Sequence, residues 1–287
     1  MIPPQSLLYI YEIQGDMKTD FSAPPDSFIG IWNEEGFSYL FFTKAEDDYV
    51  RIQICPDGST FSSRHEMTYH DWQTGLPPQG ITLGGLIFVP CDHPCPPPDA
   101  VLLDPSVVFG DGNHPTTASC LRFMEEIIKT ETVQSMLDLG TGTGILALAA
   151  AAMGVEHVVA VDKNRLAFRT AVNNVMSNSF STVIEVYEAE ARLFIDKPFD
   201  LVAANLPFHV LRDLVTMRGM ATHRFWIVSG INQEQAEVIQ GLFDELGYIV
   251  GKQCAVPPWV TFTMAGRDDR KTLLKNWYPF RGVKQLS

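Results

Sequence analysis

A chain of 287 residues, 46% of them hydrophobic, is long enough for one full α/β domain of about 170 to 200 residues and something smaller beside it. Its formal charge of −13 repels phosphate backbones and anionic bilayers, which excludes a general nucleic-acid or membrane binder and favours a basic protein or a neutral small molecule as partner. No run nears the roughly 20 apolar residues of a membrane span, the N-terminus lacks a signal-peptide pattern, and five irregularly spaced cysteines speak for reduced thiols, so a cytoplasmic protein is expected.

Residues 1–90 carry short apolar runs between turn formers: "SLLYIYEIQG", "SFIGIWNEEGFSYLFFT", "DYVRIQI" and "GITLGGLIFVP". Their β-branched and aromatic content predicts strands in a mainly β or α+β domain that recognises substrate or acts as a lid. A proline-rich joint follows at 91–100. Within it Cys91, His93 and Cys95 have zinc-like spacing, but no second ligand pair follows, so an ordinary loop and no metal are expected.

Beyond the joint, helical and strand periods alternate, which predicts a doubly wound parallel sheet over 101–267. The expected order is helix 117–130, strand 135–139, helix 144–153, strand 157–162 and helix 165–177. Strands 183–187 and 199–204, helix 208–218, strand 224–229, helix 232–246 and two closing strands near 248–265 complete it. Residues 268–287 form a basic tail, net +3 on a body of −16, expected to fold back onto it. Ligands of such sheets bind beyond the carboxyl ends of the central strands.

The first of those ends reads "LDLGTGTGILALAAAAMG". Strand, glycine turn and helix bring backbone N–H groups to a ligand, with Gly140, Gly142 and Gly144 removing the Cβ atoms that would block it. From Gly142, "GTGILA" fits the dinucleotide pattern of an oxidoreductase, with Asp162 as ribose acceptor. From Asp138, "DLGTGTG" resembles the loop of methyltransferases that use S-adenosylmethionine. A carboxylate at 138 would repel a pyrophosphate and attract a cationic amino acid, by about 4 kcal/mol at 4 Å in raw Coulomb terms, which favours the sulfonium ligand. Asp162, unless it merely caps the next helix, would accept the ribose hydroxyls, and Glu190, or equally Glu188, could accept from the adenine amine.

After the fourth strand stands "NLPF". Asn205, Leu206 and Phe208 resemble the Asn/Asp-x-Pro-aromatic motif of methyltransferases acting on nitrogen, in which the Asn oxygen and the next carbonyl accept N–H hydrogens while the aromatic ring stacks on a planar group. Orienting acceptors serve an in-line transfer better than a strong base does. The competing reading is an Asn that caps helix 208–218. His114 and His209 could take a proton, but a lone His is more often a packing or surface residue.

"LLDPSVVFGDGNHPTTASCL", with "DLGTGTGILALAAA", "AVDKN", "NNVMSN" and "DLVAAN" in the same order, resembles the PrmA family of bacterial ribosomal-protein methyltransferases over roughly 68–266. "PPWVTFTMAGR" resembles its closing strand. The resemblance implies a seven-stranded Rossmann-like sheet, S-adenosylmethionine as cofactor with S-adenosylhomocysteine as product, and a protein acceptor, such as a basic ribosomal one. It makes Phe109, Gly110 and Thr117 cofactor contacts along with Gly140, Asp162 and Asn205. From the residues themselves, Thr116 or Thr117 suits an N-cap, and Gly110 and Gly112 permit a close, mobile lid. Two positions depart from the family: Asn205-Leu206-Pro207-Phe208 replaces its Asn-Ile-Leu-Ala, and Asp111 replaces its Thr. The first shifts the acceptor site toward planar nitrogen, leaving open a small-molecule amine, amide or guanidine. A protein that binds cofactor without transferring is a further alternative.

Overall fold

The computed structural model describes residues 2–3, 5–17, 24–34, 36–55, 60–72, 76–217 and 223–266. The basic tail 268–287 and its expected fold-back lie outside them. Alternating apolar residues make β1 (Leu7–Gln14), the hairpin β2 (Phe28–Glu34) and β3 (Phe37–Phe42), and β4 (Phe61–Thr68), joined as one antiparallel sheet in the order β2-β3-β1-β4. "DYVRIQI" is not the expected strand. Asp47–Tyr49 is a helical turn, α1, that runs into a π-turn over Val50–Ile54. Asp47 and Asp48 suit a helix start, and Tyr49, Val50, Ile54 and Cys55 reach one apolar cluster, a spacing that no strand provides. A second short helix, α2, covers Tyr69–Trp72.

The strands β5 (Ile81–Leu83), β6 (Leu86–Pro90) and β7 (Val101–Leu103) form a small sheet in which β6 and β7 run parallel across the proline-rich joint. The large unit is then built from α3 (Pro115–Thr130), β8 (Ser135–Leu139), α4 (Ile145–Ala152), β9 (His157–Asp162), α5 (Arg165–Ser177), β10 (Ile184–Glu188) and β11 (Leu201–Asn205). It closes with α6 (Phe208–Val215), β12 (Phe225–Asn232), α7 (Gln233–Glu245), β13 (Tyr248–Val256) and β14 (Trp259–Gly266). The sheet order is β10-β9-β8-β11-β12-β14-β13, with β14 antiparallel to its neighbours. This is the expected seven-stranded, Rossmann-like sheet. Among the described residues no helix is long and apolar enough to cross a membrane.

Burial explains why the strands read as near-continuous apolar runs. Leu201, Val202, Ala203 and Ala204 are all fully buried, because helices cover both faces of the sheet. The chain leaves β8 toward one edge and returns at β11 to build the other, so the crevice of the fold opens between the ends of β8 and β11. The N-terminal sheet packs on the same unit: Leu8, Ile10 and Phe41 share a core with Val107, Val108, Leu166 and Ala167. Tyr69 donates its hydroxyl to the Ser106 carbonyl at 2.5 Å, which ties α2 to the segment after β7.

Candidate functional site

At the end of β8 the backbone turns through Gly140, Gly142 and Gly144, all at positive φ, before α4 begins. Gly142 cannot be replaced cheaply: a Cβ there would lie 2.6 Å from the Phe109 carbonyl oxygen, a backbone atom that cannot swing away. The same contact shows that the lid segment lies against the turn. Thr143 donates its N–H to Phe109 O at 3.2 Å and its hydroxyl to Gly110 O at 2.7 Å. Phe109 itself is 48% exposed, while Gly110 is buried.

Asp138 sits one residue below the end of β8 and is only 1% exposed. The Thr141 hydroxyl donates to it at 2.6 Å, and burial pushes its pKa from 3.8 up to about 7 against that bond. The carboxylate expected to greet a cationic ligand therefore lies beneath the turn and does not line the crevice. Asp162, at the tip of β9, accepts from Gly142 N–H at 3.0 Å and Asn164 N–H at 2.8 Å, and burial still holds its carboxyl above the usual range. It is not the cap of α5. Asn164 is, accepting from Leu166 and Ala167 N–H. Glu188, the last residue of β10, and Glu190, two residues on, are both exposed, and Glu190 makes no side-chain cap bond.

Across the crevice Asn205 ends β11. Its Nδ2 donates to Thr116 Oγ1 at 3.1 Å, and α6 starts instead from Pro207 without a side-chain cap, so the capping alternative for Asn205 falls. Leu206 donates its N–H to Ser229 O at 3.1 Å and packs its side chain over Gly140. Phe208, half-buried, carries Arg212 over its ring at 5.8 Å. His209 is exposed.

His114, and neither of the threonines expected to do so, caps α3, with Pro115 at the first helical position. Its ring lies edge-on between Phe109 at 5.1 Å and Trp259 at 5.3 Å, so the lid, the start of α3 and the closing strand β14 meet at one aromatic contact. Thr117 Oγ1 is buried without a hydrogen-bond partner among the described residues. An orphaned donor costs about 1–3 kcal/mol, and a ligand that satisfies it recovers that cost.

Two residues that hold the site together stand in "NNVMSN", to which the sequence reading gave no role. Asn174, 1% exposed on α5, donates to the carbonyls of Asp104 and Thr143 and accepts from Asp104 N–H. One turn on, Asn178 accepts from Leu102 N–H and donates to Leu102 O, as a neighbouring strand would. An asparagine on the apolar face of α5 and a second four residues on, at its C-cap, are the signal that betrays them, since an unpaired amide there would be costly. In the joint, His93 Nδ1 accepts from Cys95 N–H, and burial pushes the Cys91 thiol up to about 11.

The model of the ribosomal protein L11 methyltransferase (PrmA) family matches residues 58–267. A ribosomal protein L11 methyltransferase of Methylobacillus flagellatus is 31% identical over 244 residues, 80% of this chain and 79% of its own length. The corresponding proteins of Desulforamulus reducens and Heliobacterium modesticaldum are 33% and 29% identical, over 56% and 70% of this chain; the matches span only 52% and 64% of those relatives' lengths. Among solved structures, a ribosomal protein L11 methylase from Lactobacillus delbrueckii subsp. bulgaricus superposes with a TM-score of 0.56 at 26% identity, covering 63% of this chain and 95% of that one.

Proposed function

Because the chain belongs to the ribosomal protein L11 methyltransferase (PrmA) family, we propose that it moves a methyl group from S-adenosylmethionine to a nitrogen of a ribosomal protein. The observation that carries this reading is the crevice between β8 and β11, where a glycine turn, the half-buried Asp162 carboxyl group and an orphaned threonine hydroxyl stand near Asn205, with Asp138 buried beneath the turn. These residues fit the cofactor. Asp162 keeps lone pairs for a vicinal diol after accepting its two N–H bonds, Thr117 Oγ1 lacks a partner, and Phe109 with Gly110 roofs the turn. Asp138 acts from beneath the turn, its field favouring the ammonium of the methionine moiety. Gly140, Gly142 and Gly144 give the room, and Glu190 is the candidate for the adenine amine. When bound, the group supplies a methyl on a sulfonium cation.

What the chain contributes is orientation. With Nδ2 taken by Thr116, Asn205 Oδ1 is free to accept an acceptor N–H, joined by the Leu206 carbonyl, so that the nitrogen lone pair faces the methyl. Phe208 offers a flat apolar surface beside it, which favours a planar acceptor nitrogen over a flexible ammonium. The N-terminal sheet, with its neighbouring chain to residue 90, serves as the substrate-side domain, and residues 101–267 as the transferase. A buried carboxyl group under the glycine turn opposes a pyrophosphate and with it the dinucleotide alternative. Titration with S-adenosylhomocysteine and with NAD tests the class: micromolar binding of the first and none of the second is expected, and the reverse removes the proposal. Labelled methyl transfer into ribosomal protein extracts, set against a metabolite pool, tests the acceptor.

A further inference from the structure

The side chain that touches Asn205 belongs to a chain of three groups whose donor directions can be assigned. A backbone N–H only donates. Thr116 N–H reaches His114 Nδ1 at 3.4 Å in the cap of α3, so that ring nitrogen is an acceptor and the neutral ring carries its proton on Nε2. The Thr116 hydroxyl, 2.7 Å from the same nitrogen, must then give its hydrogen to it. Its oxygen is left as an acceptor, which fixes the group 3.1 Å away as the Asn205 NH2 and turns Oδ1 of that amide the other way.

We propose that Thr116 is a positioning residue: it transmits the tautomer of His114 to Asn205 and thereby aims the Asn205 carbonyl at the acceptor nitrogen. The use made of Oδ1 rests on the methyl-transfer reading; the donor chain does not. Thr116 is 1% exposed and touches both neighbours at once, so no water substitutes for it. The device is also pH-sensitive. A protonated His114 has no lone pair at Nδ1, so both bonds from Thr116 fail. Around His114, the lid presents Phe109 and the charged Asp111, and β14 presents Trp259. Burial outweighs Asp111 and holds the His114 pKa below its ordinary value, so the relay survives through neutral pH and fails only in acid.

Nuclear magnetic resonance of the full chain, with and without S-adenosylhomocysteine, needs no acceptor. Wild type and Thr116→Ser should show the Nε2–H tautomer at His114 and an exchange-protected Asn205 side-chain amide. Thr116→Val should lose that protection. With labelled cofactor and purified ribosomal protein L11, Thr116→Val should lower kcat about 10- to 100-fold while S-adenosylhomocysteine affinity stays within about twofold, and Thr116→Ser should restore kcat. His114→Asn, which accepts at the cap but cannot titrate, should abolish the acid limb of kcat. An Nδ1–H tautomer, or a valine variant with an unchanged amide signal or unchanged turnover, overturns the relay. Intact relay signals in a protein that binds no S-adenosylhomocysteine would instead remove the methyl-transfer reading.

Discussion

Replacing Asp138 by Asn tests the electrostatics of the crevice. The folded state holds this carboxyl with a pKa near 7 against 3.8 for the free group, so the native protein binds its proton more tightly than the unfolded chain does. For a raised carboxyl the contribution to stability is greatest in acid and is lost as pH climbs from about 4 through 7. Integrated over that window, the wild type should lose about 2.5 kcal/mol between pH 5 and pH 8 from this group alone. Asp138→Asn cannot titrate. The difference in unfolding free energy between variant and wild type, measured by urea denaturation, should therefore swing by about 2.5 kcal/mol in favour of the variant over the same interval, whatever fixed cost its new NH2 group brings. Cofactor binding should reverse the preference: a cation over the turn favours the ionised carboxylate, so S-adenosylhomocysteine titrated at pH 6 should release a fraction of a proton in the wild type and none from this site in the variant. Parallel stability profiles, with equal proton release, would refute the reasoning.

Asp162→Ala should weaken S-adenosylhomocysteine binding on the order of 10- to 100-fold by calorimetry, since hydrogen bonds to a charged group are worth about 1.5–3 kcal/mol, and it also frees the Gly142 and Asn164 N–H groups. Gly142→Ala drives a Cβ into the Phe109 carbonyl and should abolish cofactor binding, whereas Gly154→Ala, with nothing within 4 Å, should cost only the roughly 1–2 kcal/mol of a left-handed backbone and leave binding intact. Asn174→Ala strips partners from Asp104 and Thr143 together and should lower unfolding free energy by about 2–4 kcal/mol in denaturant melts, with a parallel loss of cofactor affinity.

The large sheet was legible because period carries it. Strands 135–139 and 157–162 and helix 165–177 have the expected bounds, their ends marked by glycine or by Asn164, while α3 begins two residues early because Pro115 and His114 make a cap that threonines usually make. The N-terminal region was less legible. "DYVRIQI" misleads because Val and Ile favour strands locally, and only packing reveals that Val50 and Ile54 face one cluster. β4 was missed, since "FSSRHEMT" shows its polar, exposed face and gains its place from pairing with β1. At the site, motif order supplied the glycines, Asp162 and Asn205, yet nothing in it says that Asp138 is sealed beneath the turn or that Thr116 spans two elements. Those facts depend on a third dimension: residues 116 and 205 are 89 positions apart.

The double asparagine clasp on α5 has a mechanical consequence. By gripping Asp104 and Thr143 with a single amide, it welds the foot of the roof segment to the cradle it covers, while its companion at 178 plugs the bare flank of β7 that would otherwise recruit a stray strand. Downstream of the weld, Thr143 also holds the Phe109 and Gly110 carbonyls, so the roof is moored to its cradle at both ends of the stretch from 104 to 110.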